Sequence, residues 1–136
     1  MIKKGNKRIL KGSFIAQPKG KEDDEMNFEI NEHLVATNPI EEIIYSDKKH
    51  EISICFAEQN NLWSYGYEYN LRNAGGGSFP GFGKNNRLFQ SMGEARNAAL
   101  KRILEIVMRE EQFDNIKYPK IIQAIESKLC EQLCLF

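Results

Sequence analysis

The segment at residues 62–72 constrains the fold of this chain more than any other. Its aromatic side chains, Trp63, Tyr65, Tyr67 and Tyr69, stand at every second position and alternate with small or polar residues. Strict alternation with a period of two predicts a β-strand with one apolar face. An apolar sheet face has to be covered by a second layer, so the strand implies a layered domain.

Two further strands are predicted immediately before the aromatic one. Residues 42–46 and 51–56 are rich in β-branched residues, and the four polar residues between them are typical of a hairpin turn. Within residues 51–56, large apolar side chains alternate with smaller or charged ones. One face of this strand is therefore expected to be buried, and a second polar turn leads from it into the aromatic strand.

Two amphipathic helices are predicted after the strands. Ser91 with Glu94 three residues later forms a capping-box pattern, and the helix is expected to run to about residue 111. Its predicted buried stripe consists of Ala95, Ala99, Ile103, Ile106 and Val107. Pro119 is expected to open a second helix. The predicted stripe of that helix consists of Ile122, Ile125, Leu129 and Leu133.

The order of these elements predicts an α+β fold in two layers. We expect an antiparallel meander of three to four strands with two C-terminal helices packed on one face, in the order β-β-β-α-α. Residues 87–90 are the candidate fourth strand, and residues 73–86 are expected to form a long glycine-rich loop. Residues 27–136 are interpreted as a single domain, preceded by a flexible basic arm at residues 1–26.

The net charge is zero, but the charges are segregated along the chain. Residues 1–21 carry seven bases and no acid, whereas residues 22–69 carry twelve acids and two bases. Residues 70–136 carry ten bases and seven acids. This asymmetry is typical of a tail that seeks a polyanion, although the neighbouring acidic run could also neutralise the arm.

Several functional classes are not supported by the sequence. No apolar stretch is long enough for a membrane helix, and no signal-peptide core follows the basic N-terminus. Cys55, Cys130 and Cys134 are too few and too scattered for a disulfide framework, which favours a reducing cytoplasm. Neither His33 nor His50 has a partner pattern for nucleophilic catalysis or for metal binding. No catalytic residue, metal site, cofactor or small-molecule substrate is therefore predicted.

The glycine-rich loop does not match a known phosphate-binding pattern. Gly83 and Lys84 stand as in a P-loop, but Ser78 replaces the first glycine and Asn85 replaces the hydroxyl that binds the metal ion. Two interpretations remain open. The loop could be a long connection, or its glycines with Lys84 and Arg87 could approach a nucleic-acid phosphate.

The aromatic row also has two interpretations. Four rings on one sheet face resemble the stacking platforms of proteins that bind single-stranded nucleic acid. Alternatively, the same face is the core beneath the helices, because a two-layer domain must bury one sheet face. Trp63 and Tyr69, which lie nearest the strand ends, are the rings expected to be partly exposed.

The basic residues give the one positive functional signal. The candidate nucleic-acid-binding residues are Lys3, Lys4, Lys7, Arg8, Lys11, Lys84, Arg87 and Arg96, with Trp63 and Tyr69 as stacking rings. We therefore expect a non-enzymatic accessory module that binds DNA weakly through an arm and a patch. The alternative is a protein-interaction or oligomerisation module with no nucleic-acid role. That module would use the aromatic sheet or the apolar C-terminal end at residues 133–136.

A resemblance to known proteins covers about residues 50–110. It rests on Trp63, the glycines at 75–77, and the alanine-rich helix that follows Phe89-Gln90-Ser91. This stretch resembles a small strand-rich module with a closing helix that accompanies ParB-like nuclease and DNA-methylase proteins of bacterial plasmids and conjugative elements. The resemblance implies a mobile-element setting, and it does not imply catalysis because no nuclease or methylase motif is present.

Overall fold

A four-stranded antiparallel sheet and two helices make up the described chain in this computed structural model, which covers the backbone of residues 28–134 and the side chains of residues 28–131. The elements are β1 (Ile40–Ser46), β2 (Glu51–Gln59), β3 (Leu62–Asn70), β4 (Gly75–Ser78), α1 (Met92–Asp114) and α2 (Pro119–Cys134). The strands lie side by side in sequence order. This confirms the predicted α+β meander followed by two helices. The predicted arm lies outside the described residues.

The β1–β2 hairpin closes around the carboxylate of Asp47. One carboxylate oxygen accepts hydrogen bonds from the backbone N–H groups of Lys49 and His50, both at 2.7 Å. The other oxygen accepts the hydroxyl of Tyr45 at 2.8 Å. An aspartate that bonds the backbone two and three residues ahead stabilises a turn, which explains why this short polar segment forms a hairpin. The predicted turn is confirmed.

The β2–β3 hairpin is tighter than the sequence pattern indicated. Gln59 pairs with Leu62, so Asn60 and Asn61 alone form the connection. Both asparagines have positive φ angles, 56° and 66°. A two-residue turn with positive φ at both positions has a backbone twist that matches the twist of the flanking strands. Asparagine tolerates positive φ better than most other side chains do.

The prediction of the fourth strand was wrong in position. Strand β4 is formed by the glycines of the expected loop, which pair with residues 67–70 of β3. Glycine disfavours strands, so the composition hid this element. A side chain at Gly77 would meet the backbone of β3, which explains the glycine there. The segment expected as the fourth strand contributes only an isolated bridge between Phe89 and Trp63.

Helix α1 begins as predicted and ends later than predicted. The Ser91 hydroxyl accepts the Glu94 N–H at 3.1 Å, and the Glu94 carboxylate accepts the Gln90 N–H at 3.2 Å. The second bond reaches the residue before the cap, so the box is one position wider than the standard pattern. The helix continues to Asp114 because no chain-breaking residue intervenes before Asn115, which takes the left-handed conformation.

The core lies between the sheet and the two helices. Ile52, Ile54 and Phe56 of β2 are at most 2% exposed and face Leu100 and Ile103 of α1. The stripe predicted for α1 is buried, with Leu100 in addition. In α2 the predicted Ile125 is buried, the predicted Ile122 and Leu129 are partly buried against the core, and Ile121 is buried in addition. The side chain of Leu133 lies outside the description.

The opposite face of β2 is buried as well, which the alternation did not predict. Ser53, Cys55 and Ala57 are all below 9% exposed, although they point away from the helices. The chain around residues 78–81 crosses over this far face. Its anchor is the Ser64 hydroxyl, which donates a hydrogen bond to the Gly81 carbonyl at 2.7 Å.

The chain at residues 78–81 leaves room only for small side chains on the sheet beneath it. A substitution at Gly66 tests this requirement. A Cβ atom on Gly66 would collide with the Ser78 carbonyl oxygen and come within 2.9 Å of the Cys55 sulfur. We expect Gly66→Ala to lower the free energy of unfolding by about 2–4 kcal/mol, because backbone cannot yield as a flexible side chain can. Denaturant unfolding measures this value. Gly75→Ala is the matched control, since its nearest atom would lie at 3.5 Å, and an equal loss in both variants would contradict the packing argument.

The Asp47 turn gives a prediction about pH. The Lys49 N–H and then the Tyr45 hydroxyl hold the pKa of Asp47 well below its usual range. A carboxylate with a lowered folded pKa stabilises the fold above the unfolded value of about 3.9, and this contribution is lost as the pH falls below it. We expect Asp47→Ala to lower Tm at pH 7 and the difference from the parent to shrink towards pH 2. Thermal unfolding across this range is the measurement, with Lys48→Ala as the control. A difference that stays constant with pH would contradict the assignment.

Candidate nucleic-acid interface

A groove of about 560 Å³ lies between α1, β3 and the chain that leads into α1. Its lining consists of Tyr65, Arg87, Phe89, Glu94, Asn97, Ala98, Lys101, Arg102 and Glu105. We call it the basic groove, because three of its side chains carry a positive charge and two carry a negative one. Two aromatic rings complete its wall.

The bridge between Phe89 and Trp63 positions one side of the basic groove. The two residues exchange backbone hydrogen bonds of 2.7 and 2.8 Å, which fix the segment before α1 against the start of β3. The Phe89 ring then lies 6.1 Å from the Tyr65 ring, centroid to centroid. The guanidinium carbon of Arg87 lies 5.0 Å from the centre of the Phe89 ring, within the range of a cation–π contact.

Helix α1 supplies the other side of the groove. Lys101 and Arg102 lie three and four residues after Ala98, and Glu105 lies four and three residues after them, so all four residues lie on one side of the helix. Arg102 donates a hydrogen bond to the Glu105 carboxylate at 3.2 Å. Its side chain is still 42% exposed, so part of the guanidinium faces solvent.

The pKa of Tyr65 depends on the charges that surround the groove. Burial raises the pKa of Tyr65, while the positive charges of Arg102 and Arg87 oppose that shift. Both arginines therefore lie close enough to act on the same ring. A half-buried ring flanked by two guanidinium groups is suited to a planar ligand that carries negative charge.

The structure separates the predicted basic residues from one another. Arg87 lines the basic groove, whereas Lys84 is exposed in the preceding loop and does not line it. Arg96 lies on another face of α1, where Nε and one terminal nitrogen contact the two carboxylate oxygens of Glu42, each at 2.7 Å. This bidentate pair is only 16% exposed on the arginine side and 27% on the glutamate side. The predicted patch of Lys84, Arg87 and Arg96 is thus not one continuous surface.

The five basic residues predicted in the arm lie outside the described residues. They are Lys3, Lys4, Lys7, Arg8 and Lys11.

The aromatic row is half-buried and packs against the core. All four rings are packed against the core beneath the helices, and none is fully buried. Trp63 contacts Phe28 with its ring at 6.2 Å, and Tyr69 stacks on Tyr67 at 6.3 Å. Neither predicted stacking residue lines the basic groove. The ring of the row that does so is Tyr65.

The rings of Tyr65 and Phe89 are not among the site residues predicted from the sequence. Lys101 and Arg102 belong to the seven bases between residues 72 and 109, and the sequence does not show which of those bases lie together. The usable signal was the helical spacing of Ala98, Lys101 and Arg102, which marks a small residue beside two bases next to the buried stripe. The contact between Phe89 and Tyr65 depends on an isolated bridge across 26 residues of chain, and no local pattern predicts it.

Within residues 28–134, no group of three or more histidine, cysteine, aspartate or glutamate side chains is arranged to hold a metal ion. Neither of the described helices combines the length and the apolar character that crossing a bilayer requires. The buried Cys55 is not part of a disulfide bond.

No known protein family, curated protein or solved structure matches this chain.

The ion pair between Arg96 and Glu42 joins α1 to the edge strand β1, and we expect it to stabilise the fold. Arg96→Ala leaves a largely buried carboxylate without its partner, so the free energy of unfolding should fall by about 1–3 kcal/mol. Denaturant unfolding provides the measurement. Arg109→Ala is the control, because Arg109 is 56% exposed and its loss should cost less than about 0.5 kcal/mol. Equal effects in the two variants would show that the pair contributes nothing beyond a surface charge.

Proposed function

We propose that this chain is a non-enzymatic accessory module that binds nucleic acid, and DNA in particular, through the basic groove. One observation carries the proposal: Arg87, Lys101 and Arg102, from separate segments, converge on one groove walled by the rings of Tyr65 and Phe89. Cations that contact phosphate, next to rings that contact bases, are the elements that nucleic-acid-binding surfaces combine.

The chemistry of each group supports this use. A guanidinium donates two parallel hydrogen bonds to a phosphate, and Arg87 is already oriented over the Phe89 ring. Lys101 is exposed and adds a point charge on the facing helix. A base stacked on an aromatic ring contributes about 1–3 kcal/mol. Tyr65 is the half-buried ring of the groove that could make such a contact, because Phe89 is only 7% exposed.

The charge balance supports weak rather than tight binding. Glu94 and Glu105 line the same groove and leave it with a net charge of one. The whole chain has a pI of about 6.7, which is low for a dedicated nucleic-acid-binding protein. Additional affinity would have to come from Lys84 in the adjacent loop and from the basic residues of the arm.

The cellular setting belongs to the same proposal. The resemblance to modules of plasmids and conjugative elements supports a role beside the DNA-processing proteins of a mobile element. The three scattered cysteines, too few for a disulfide framework, support a reducing, cytoplasmic location.

Fluorescence anisotropy with labelled DNA at about 50 and 200 mM salt tests the proposal. Three phosphate contacts predict a loss of affinity of about 40-fold on duplex DNA across this range. The triple variant Arg87→Ala, Lys101→Ala, Arg102→Ala should bind more weakly, and its slope of log affinity against log salt should be shallower by about 2.7 on duplex DNA. We expect the parent chain to show the steeper, salt-dependent isotherm.

The control variant removes the same charge from elsewhere on the surface. Arg72, Lys117 and Lys120 are exposed and do not line the groove. Their replacement by alanine changes the net charge equally and should change the salt slope much less than the groove variant does. Equal losses in the two variants would show that binding depends on total charge and not on this groove.

The same measurement distinguishes the proposed function from its alternative, a protein-interaction module. Absence of binding at low salt would remove the nucleic-acid proposal and favour the protein-interaction alternative. The mass of the chain in solution, compared with that of a Leu129→Asp, Leu133→Asp variant, would then test whether α2 mediates self-association.

A further inference from the structure

The dimensions of the basic groove limit what can enter it. Its lining on α1 runs from Glu94 to Glu105, which is about 17 Å along the helix axis. A volume of about 560 Å³ spread over about 17 Å gives a mean cross-section of about 33 Å², close to 6 Å on each side. The major groove of B-DNA alone is about 12 Å wide, so a duplex is too broad to enter and contacts only the rim. Stacked bases are about 3.4 Å apart, so a single base does fit inside.

Tyr65 is the ring within the groove that a base can reach. It is half-buried, whereas Phe89 is 7% exposed and has the guanidinium carbon of Arg87 at 5.0 Å from its centre. In a duplex the neighbouring bases cover both faces of every base, and only the base edges are open in the grooves. A base has to leave the stack before it can lie against a recessed ring. The position of Tyr65 therefore favours nucleic acid whose bases are already unpaired.

The wall of the groove also contains a polar atom without a partner. Asn97 lines the groove one helical turn before Lys101. Its Oδ1 atom is buried and has no hydrogen-bond partner among the described residues. Buried polar atoms in native proteins are nearly always hydrogen-bonded. The terminal torsion of asparagine has broad energy wells, so a turn of the amide towards the groove would present this oxygen to a donor.

An unpaired base supplies the donor that Asn97 lacks. Each base carries an amino or imino N–H group on its Watson–Crick edge, and proteins that bind single strands form hydrogen bonds with this edge. In a duplex the same groups are bonded to the opposite strand. Phosphate oxygens only accept hydrogen bonds, so they pair with Lys101 and Arg102 and not with Oδ1 of Asn97. The ring and the unpartnered oxygen thus require the same state of the ligand.

We infer that the basic groove binds an unpaired stretch of a nucleic-acid strand, with Tyr65 stacked on one base and Asn97 bonded to a base edge. The inference rests on the nucleic-acid function proposed above and specifies the class of ligand. Duplex DNA binds more weakly, because at the rim of the groove it gains the phosphate contacts alone.

Fluorescence anisotropy with one labelled strand of 12 nucleotides, alone and annealed to its complement, tests the inference at about 150 mM salt. The strand has a mixed sequence that does not pair with itself. One stacked base corresponds to about 5- to 150-fold in affinity. The parent chain should therefore bind the single strand at least about fivefold more tightly than the duplex.

Substitutions of Tyr65 show whether its ring causes this preference. Tyr65→Leu should lower the affinity for the single strand by about fivefold or more and change the affinity for the duplex by less than about twofold. Tyr65→Phe keeps the ring and should bind as the parent does. Tyr69→Leu is the matched control, because Tyr69 is half-buried in the same row and does not line the groove. Thermal unfolding confirms that each variant folds.

A substitution of Asn97 separates a role in binding from a role in folding. Asn97→Leu removes a buried acceptor that has no partner, so Tm should stay unchanged or rise. The affinity for the single strand should fall by about 2- to 10-fold, which is the usual value of one hydrogen bond. A loss of Tm with unchanged affinity would show that Asn97 serves the fold alone and would overturn its assigned contact.

Photo-cross-linking locates the contact without any variant. A single strand that carries 5-iodouracil, which reacts on irradiation with an aromatic ring in contact with it, should join to Tyr65 of the parent chain. Digestion and mass spectrometry identify the joined residue. The duplex that carries the same base should give little product at Tyr65.

The outcomes distinguish this inference from the function on which it rests. Equal, salt-dependent affinities for single strand and duplex would overturn the inference and leave nucleic-acid binding by the groove intact. Unchanged single-strand affinity in Tyr65→Leu, or cross-links only outside the groove, would overturn it as well. Absence of binding to both forms would instead remove the proposed function, and the inference with it.

Discussion

Burial of β2 on both of its faces is the constraint on which the rest of the structure depends. Its helix-facing side carries Ile52, Ile54 and Phe56, and its far side carries the much smaller Ser53, Cys55 and Ala57. Large residues on one side give the helices an apolar surface to cover. Small residues on the other allow a stretch of irregular chain to lie directly on the sheet, which it does over Gly66 and Ser64. A thin cover of this kind closes the far face without a third layer of secondary structure.

This asymmetry also separates the two charged concavities. The basic groove forms where α1 meets the edge of β3, and a second concavity, which Glu41 and Glu68 line, forms where the thin cover ends. Both depend on the chain between β4 and α1, which lies over the far face and then returns to bridge Trp63. Within the described residues, the two concavities share no lining residue and differ in the sign of their net charge.

The sequence predicted the elements whose signals are local. The alternation of β2 and β3, the Asp47 turn and the Ser91 cap each depend on residues within a few positions of one another, and each formed where expected. The position of β4 could not be predicted in this way, because its glycines are required by contact with β3 and not by strand propensity.

The candidate site was less predictable for the same physical reason. A list of bases does not show which of them are already neutralised, and only the fold brings Glu42 within 2.7 Å of Arg96 across 54 residues. The same fold brings Tyr65 and Phe89 together and so turns Arg87 from an isolated loop charge into part of a groove. Composition shows which residues carry positive charge, and long-range contacts determine which of them lie together.

The glycine strand β4 has a dynamic consequence. Gly75, Gly76 and Gly77 bury no side chain and lie at the exposed edge of the sheet. Glycine loses more backbone entropy on ordering than any other residue, and here only backbone hydrogen bonds to β3 oppose that loss. Such a strand opens locally at far lower free energy than global unfolding requires, so its amides should exchange with solvent long before those of β2. We therefore expect β4 to be the part of the sheet that opens first, while the other three strands stay paired.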